Sequence, residues 1–255
     1  MAAAVMLAVD EIEVSFGGLK AVDGVSFSVD SGEVFAIIGP NGAGKTSLFN
    51  LVSRIYDPSG GSILFEGRDI TRLAPHDVVR AGIARTFQNI ALFDNATVLD
   101  NLMLGRFRHC RSGIIGQAFF LPSVRREKDI DRRKVEEIID FLELGKYRDV
   151  LVGGLPYGVR KIVELGRALA SEPRLLLLDE PSSGLNVEET RDMVFWIQDI
   201  RDDLGVTILM IEHDMSLVSA VSDRVLAMNS GRVLALGTAQ GVQMDPSVAA
   251  AYLGA

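Results

Sequence analysis

The stretch Val34-Phe-Ala-Ile-Ile38 running into Gly39-Pro-Asn-Gly-Ala-Gly-Lys-Thr46 and Ser47 decides how this chain is read. Residues 39–46 satisfy G-x-x-x-x-G-K-[ST] at every fixed position. The chemistry needs those residue types. Glycines at 39, 42 and 44 let the backbone curl until successive N–H groups point into one concavity. A helix pattern follows over Ser47–Arg54, and its positive N-terminal end adds to that cradle for a polyphosphate. Lys45 supplies a mobile cation for the β- and γ-phosphates, and the Thr46 hydroxyl is a candidate Mg²⁺ ligand. The candidate phosphate-binding set is therefore Gly39, Pro40, Asn41, Gly42, Ala43, Gly44, Lys45, Thr46 and Ser47.

Working outward, short apolar stretches recur with Gly-rich turns between them. Val5–Val14, Val25–Val29, Val34–Gly39 and Gly61–Phe65 read as strands early in the chain. Leu175–Leu178, Val206–Ile211, Arg224–Met228 and Arg232–Leu236 do so late. Met193, Ile197, Ile200 and Leu204 line one face of a helix whose start is signalled by Asn186 with Glu189. Val135, Ile138, Ile139 and Leu142 mark a second helix stopping near Gly145, and Ile162, Leu165 and Leu169 a third. Strands alternating with helices imply an α/β fold with a mainly parallel sheet covered on both faces.

The chain has 255 residues, 48% of them apolar, with a net charge of −8. That balance excludes a disordered chain, and an acidic total argues against a dedicated nucleic-acid binder, so no nucleic acid is expected as partner. The single Cys110 excludes an intrachain disulfide and fits a reducing compartment. The longest apolar run is Met1–Val9, nine residues, with no Lys or Arg before Lys20. Such a run is too short for a membrane helix, which needs about 18 or more residues, and lacks the basic region of a signal peptide. A cytoplasmic protein is expected.

The middle is different. From Gly105 to Lys134 nine residues are basic and three acidic, which leaves about −14 for the rest of the chain. The same segment holds the apolar cluster Ile114, Ile115, Phe119, Phe120 and Leu121 between Gly113 and Pro122. It reads either as a solvated helical face or as a surface near anionic lipid. The expected layout is one domain over 5–255: a core of about 5–88 and 156–240, a helical insertion over about 89–155, and a tail over 241–255.

Leu175-Leu-Leu-Leu-Asp-Glu180 is an apolar run ending in two carboxylates. Taken alone it could be a strand end meeting solvent. Next to a phosphate loop, a buried strand delivering Asp179 to the C-terminal sheet edge would bring it to the metal beside the phosphates. Glu180 is then the candidate base that polarises an attacking water.

Further residues fall in a telling order. Gln88 closes Ala84-Arg-Thr-Phe-Gln, Leu155-Pro-Tyr-Gly-Val159 precedes a helix pattern, Ser183-Gly-Leu-Asn186 follows the carboxylates, and His213 closes Ile208-Leu-Met-Ile-Glu-His. Over nearly the whole chain this ordered set resembles the nucleotide-binding subunit of ABC transporters. Finer features are similar to the ATPases of branched-chain amino acid uptake systems: Val14-Ser-Phe-Gly-Gly-Leu-Lys-Ala-Val22, Arg85-Thr-Phe-Gln88, the Tyr157-Gly158 signature, Ile211-Glu-His-Asp-Met215 and the ending Ala251-Tyr-Leu-Gly254.

The resemblance implies a P-loop NTPase (RecA-like) core with a parallel sheet, an antiparallel β edge region and an inserted α-helical subdomain. It implies ATP and Mg²⁺ as cofactors, with Thr46, Gln88 and Asp179 toward the metal and Glu180, His213 and Gln88 as catalytic residues. Phe16 would stack on adenine with Val22 beside it. The signature Leu155, Pro156, Tyr157 and Gly158 would act in trans on nucleotide held by an opposite subunit, with Ser183, Gly184, Leu185 and Asn186 as the loop that faces that subunit. The commonest signature, Leu-Ser-Gly-Gly-Gln, is kept here only at Leu155 and Gly158; Pro156 has neither hydroxyl nor N–H, so the contact falls to the Gly158 amide and the helix end.

One copy of each motif implies a dimer, homo- or hetero-, with transmembrane permease subunits as partners and, indirectly, an extracytoplasmic solute-binding protein. The implied location is cytoplasmic, peripheral on the inner face of the cell membrane. The implied activity is ATP hydrolysis that powers uptake of branched-chain or related amino acids. The alternatives are the ATPase of an exporter, such as one extracting lipopolysaccharide, and a non-transport ABC ATPase.

Overall fold

A computed structural model describes residues 4–88, 90–110 and 122–253. The expected insertion boundary at Asn89, Arg111 and the apolar cluster of residues 113–121 in the basic segment, and Gly254 of the ending lie outside the described residues. The chain divides into two compact units, Met1–Gln88 with Arg174–Ala255, and Asn89–Pro173.

The first unit opens with β1 (Val5–Phe16), β2 (Leu19–Asp30), β3 (Val34–Ile38), α1 (Lys45–Val52), β4 (Gly60–Phe65), β5 (Arg68–Asp69), α2 (Pro75–Ala81) and β6 (Ile83–Arg85). The second unit contributes α3 (Val98–Gly105), α4 (Pro122–Phe141) and α5 (Tyr157–Leu169). The first unit resumes with β7 (Leu175–Asp179), α6 (Val187–Asp202), β8 (Thr207–Ile211), α7 (Met215–Val221), β9 (Arg224–Asn229), β10 (Arg232–Gly237), α8 (Ala239–Gln243) and α9 (Pro246–Leu253).

Two sheets form the first unit. One has six strands in the order β10-β9-β3-β8-β7-β6. Its five strands from β9 to β6 run parallel, and β10 pairs antiparallel with β9. Every residue of β3, β7 and β8 is buried. That is why these strands are continuous apolar runs and show no alternation. The other sheet, β2-β1-β4-β5, is antiparallel throughout. The antiparallel strands expected at an edge thus form a sheet of their own. β2 begins at Leu19, well before the Val25 expected from its apolar residues, because its first half pairs with the end of β1 through Val14–Val22 and Phe16–Leu19. A core cluster joins β1, β2 and β4 to α1 and the inner strands, with Phe35, Phe49 and Phe65 among its largest side chains.

In the second unit α3 starts with a capping box, Thr97 accepting from the Asp100 amide. α5 packs on α3 at close range. A Cβ on Gly105 would stand 2.2 Å from the Arg167 carbonyl oxygen and 2.8 Å from Ala170 Cβ, so only glycine lets the two helices approach there. At Gly166 the fit is tight but softer: a Cβ there would stand 3.0 Å from a Leu142 methyl and 3.2 Å from a Leu102 methyl, both side-chain ends. This packing carries the unit to Pro173. The insertion expected to end near 155 therefore continues through α5, since that helix buries its apolar face against its own unit.

The basic excess also changes meaning. α4 runs on to Phe141 and holds six basic and six acidic residues. Lys134 pairs with Glu137 at 2.8 Å, and Arg106 is buried and donates to Asp131 at 2.9 Å. The helix is a neutral surface helix, its charges paired in part within it, as at Lys134–Glu137, and in part to Arg106 outside it. α6 differs from its sequence reading in one place: Met193, Ile197 and Ile200 are buried, but the helix ends at Asp202 and Leu204 is exposed beyond it. Among the described residues no helix is long and apolar enough to cross a membrane.

Candidate functional site

Parallel strands share one C-terminal edge, and the chain places its chemistry there. The phosphate loop leaves β3, the acidic pair ends β7, Glu212 and His213 follow β8, and Gln88 follows β6. Cα register pairs Ile37 with Ile211 and Ile211 with Asp179, so these strand ends stand side by side. Ligands of open α/β sheets bind at such edges.

The loop itself is tightly built. Gly44 sits at φ +98°, and a Cβ there would meet the Ala21 carbonyl oxygen at 2.3 Å. Ala43 donates to Pro40 at 3.2 Å and accepts from Gly231 at 2.9 Å. Lys45 begins α1 and is 7% exposed. Its Nζ donates to the Gly39 and Pro40 carbonyls at 2.6 and 3.0 Å. Burial holds its pKa below the ordinary lysine value, while the Glu180 and Asp179 carboxylates pull it upward. Thr46 is exposed and Ser47 half-buried. A cleft of about 570 Å³ is lined by Asn41, Gly42, Ala43, Gly44, Lys45, Thr46, Ser47, Gln88 and Glu180, together with Leu19, Lys20, Ala21, Ser230 and Gly231.

Glu180 stands in the left-handed region at φ +49°, its amide bonded to the Ile211 carbonyl at 2.9 Å. Gln88 Nε2 donates to Glu180 Oε2 at 3.1 Å, and His213 Nδ1 lies 4.0 Å from the same oxygen. Asp179 is 3% exposed and bound to Arg85 at 2.7 Å. The fold thus brings Lys45, Thr46, Gln88, Asp179, Glu180 and His213 to one edge. Thr46, Gln88 and Asp179 offer a hydroxyl, an amide and a carboxylate, the hard oxygen donors that suit Mg²⁺.

At the adenine end one expectation needs correction. Val22 is fully buried opposite Val14 in the β1–β2 ladder, so its side chain is core and presents nothing to a ring. Phe16 is 46% exposed and packs edge-on to Tyr56, centroids 5.0 Å apart. Leu19, at 71% exposure, lines the cleft at that end.

Ser183, Gly184 and Leu185 form the turn after Glu180, with Ser183 donating to Glu180 at 3.1 Å and Leu185 to Ser182 at 3.0 Å. Asn186 caps α6, its Oδ1 accepting from the Glu188 and Glu189 amides. The signature residues belong to the other unit. There Leu155 is buried, Pro156 is the N-cap of α5, Tyr157 is 45% exposed and Gly158 is buried. Pro156 gives α5 no side-chain cap, so the helix's first-turn amides have no cap side chain to donate to.

Three contributors escaped the sequence reading. Arg85, quoted there only within a motif, holds Asp179. Glu212 is fully buried; its Oε1 accepts from the amide and hydroxyl of Ser182 and its Oε2 from the His213 amide at 2.8 Å. Tyr252 is 41% exposed; partial desolvation raises its phenol pKa, opposed by a backbone hydrogen bond from Gly39. A charged residue directly beside an apolar strand was the available signal for Arg85 and Glu212.

A phosphate loop after a central parallel strand, with two carboxylates at the end of the strand next but one, defines a P-loop nucleotide-binding protein. The family model described as "ABC transporter" matches residues 22–183. The high-affinity branched-chain amino acid transport ATP-binding protein BraF of Pseudomonas aeruginosa is 40% identical over 252 residues, 98% of each chain. LivG of Escherichia coli, described in the same words, is 36% identical over 249 residues, again 98% of each. Among solved structures, a nucleotide-free ATP-binding cassette from an ABC transporter superposes with TM-score 0.86 at 33% identity, covering 98% of this chain and 100% of that one. An ADP conformation of such a cassette gives TM-score 0.86, 33% identity and coverage of 98% and 99%. The chain belongs to the ABC transporter family, as an ATP-binding cassette.

Proposed function

We propose that this chain is the ATP-hydrolysing subunit of an importer for branched-chain or related amino acids, working beneath a separate membrane permease. The observation that carries the enzymatic half is the contact of Gln88 with Glu180 at the mouth of the Lys45 cleft. It puts a carboxylate, its amide partner and a phosphate-binding cation in one place. The import half rests on the likeness to relatives described as branched-chain amino acid transport proteins, over 98% of the chain.

In this reading the loop amides and Lys45 bind the β- and γ-phosphates. Glu180 accepts the proton of the attacking water, and His213 and Gln88 orient that carboxylate. Thr46, Gln88 and Asp179 would hold Mg²⁺, which when bound offsets phosphate charge. Phe16 and Leu19 offer apolar surface to the base. Leu155, Pro156, Tyr157 and Gly158 serve a nucleotide on a second subunit, alike or different, and Ser183, Gly184, Leu185 and Asn186 face that subunit. Nucleotide state and permease state then share one equilibrium, with the chain working at the inner membrane face.

The test is purification of the chain from membranes with its permease, reconstitution into vesicles, and measurement of ATP-dependent uptake of leucine, isoleucine and valine. Uptake that requires ATP and is lost in Glu180→Gln supports the reading. A co-purifying permease that exports lipid, or vesicles that hydrolyse ATP without moving an amino acid, would overturn the import half.

A further inference from the structure

Arg85 is the last residue of β6 and is 8% exposed in its side chain, a buried cation on an otherwise apolar edge. Its guanidinium reaches in two directions. Nη2 donates to Asp179 Oδ2 at 2.7 Å. Nη1 donates to Asn50 Oδ1 at 2.6 Å and to Ser53 Oγ at 2.9 Å, both on α1. The rings of Phe49 and Phe87 flank it, each with its centroid 5.5 Å from the guanidinium carbon. Nε is buried without a hydrogen-bond partner, so the orientation of the group is set by what its two terminal nitrogens grip.

The next residue tightens the same hold. Thr86 donates from its amide to the Leu177 carbonyl at 2.9 Å, and its Oγ1 accepts from the Asp179 amide at 3.3 Å. Asp179 is therefore held at its backbone by Thr86 and at its carboxylate by Arg85. Lysine could not do this, because only a planar fork presents donors to a carboxylate and to a separate pair of acceptors at once. The helix at the far end of the fork is the one that begins with Lys45 and Thr46, and Asn50 lies one turn beyond Thr46.

We propose that Arg85 is a positioning residue for the nucleotide-associated divalent cation, tying the Asp179 carboxylate to α1 so that it and the Thr46 hydroxyl keep one spacing. This rests on the reading above in which Asp179 and Thr46 hold that cation. Arg85 touches neither nucleotide nor metal in this assignment. It acts through Asp179, as outer-shell partners of metal ligands do.

The experiment measures ATP affinity by calorimetry on the full chain, in excess EDTA and across a Mg²⁺ titration. Arg85→Met keeps an apolar stem between Phe49 and Phe87 and removes the fork. It should bind ATP in EDTA as the parent does, while the Mg²⁺ concentration needed for tighter binding rises about 10–100-fold. Arg85→Lys should fall between the two, since an ammonium can reach Asp179 but not also Asn50 and Ser53. If Arg85→Met does not fold, the double change Asn50→Ala with Ser53→Ala leaves the ion pair and cuts the tie to α1. It should raise the Mg²⁺ requirement in the same direction. Equal losses of affinity with and without Mg²⁺ would mean a purely structural role and overturn the proposal. Asp179→Asn is the control. If it shifts the Mg²⁺ requirement and the Arg85 variants do not, the positioning role fails alone. If it leaves the requirement unchanged, the metal reading fails and takes this inference with it.

Discussion

Gln88 and Glu180 are joined by a hydrogen bond of 3.1 Å across 92 residues of sequence. The amide ends the segment after β6 and the carboxylate follows β7, and those two strands are neighbours in the sheet. His213 Nδ1, arriving from β8, stands 4.0 Å from the same oxygen. One carboxylate oxygen thus has a neutral donor within bonding distance and an imidazole just outside it, and the donor fixes how the carboxylate faces the cleft.

Replacing Glu180 by Gln keeps the shape of that contact and removes the base. ATP hydrolysis should fall about 10²–10⁴-fold, the range for losing a general base, with ATP binding intact. Single-turnover hydrolysis and equilibrium binding, measured on the same preparation, separate the two. Near-parental turnover would remove Glu180 from the role.

Lys45→Ala should act on binding. The ammonium is held by the Gly39 and Pro40 carbonyls, already facing the concavity of the loop. A hydrogen bond to a charged group contributes about 1.5–3 kcal/mol, so ATP affinity should drop roughly 10- to 150-fold. Titration calorimetry reads this directly, and unchanged affinity would contradict the phosphate-loop assignment.

Gly44→Ala tests the loop backbone. The new Cβ would sit 2.3 Å from the Ala21 carbonyl at a φ of +98°. A residue forced into such a conformation costs on the order of 1–3 kcal/mol before the collision is counted. Denaturant unfolding should show that loss, and nucleotide binding should weaken with it. A variant as stable as the parent would show that Ala21 and its strand yield easily.

Glu212→Ala should destabilise the chain and slow hydrolysis together. It strands the Ser182 hydroxyl and amide and the His213 amide, which now share one fully buried carboxylate. Each buried group left unsatisfied costs about 1–3 kcal/mol. Glu212→Gln, which keeps one acceptor oxygen, should recover part of both losses. Unfolding midpoints and turnover compared across the pair check it, and a Gln variant no better than Ala would contradict the account.

What could be read from the order of residues was whatever depends on neighbours within a turn or two. The curl of Gly39–Thr46, the apolar run into Asp179 and the Asn186–Glu189 cap of α6 are local: backbone torsions and short-range hydrogen bonds determine them, and sequence shows both. Even the shared edge of Gly39, Gln88, Asp179 and His213 could be anticipated, since parallel strands between helices end on one side. What only tertiary structure decided were relations between residues far apart in the chain. Arg85 meets Asp179 across 94 residues, and Glu212 meets Ser182 across 30. Val22 looked like a ligand contact and is core, because its strand pairs with β1 along its whole length. α5 looked like the return to the first unit and belongs to the second, because Gly105 and Gly166 let it pack against α3 and Leu142. Long-range burial is a property of which surfaces meet, and no window of sequence contains both surfaces.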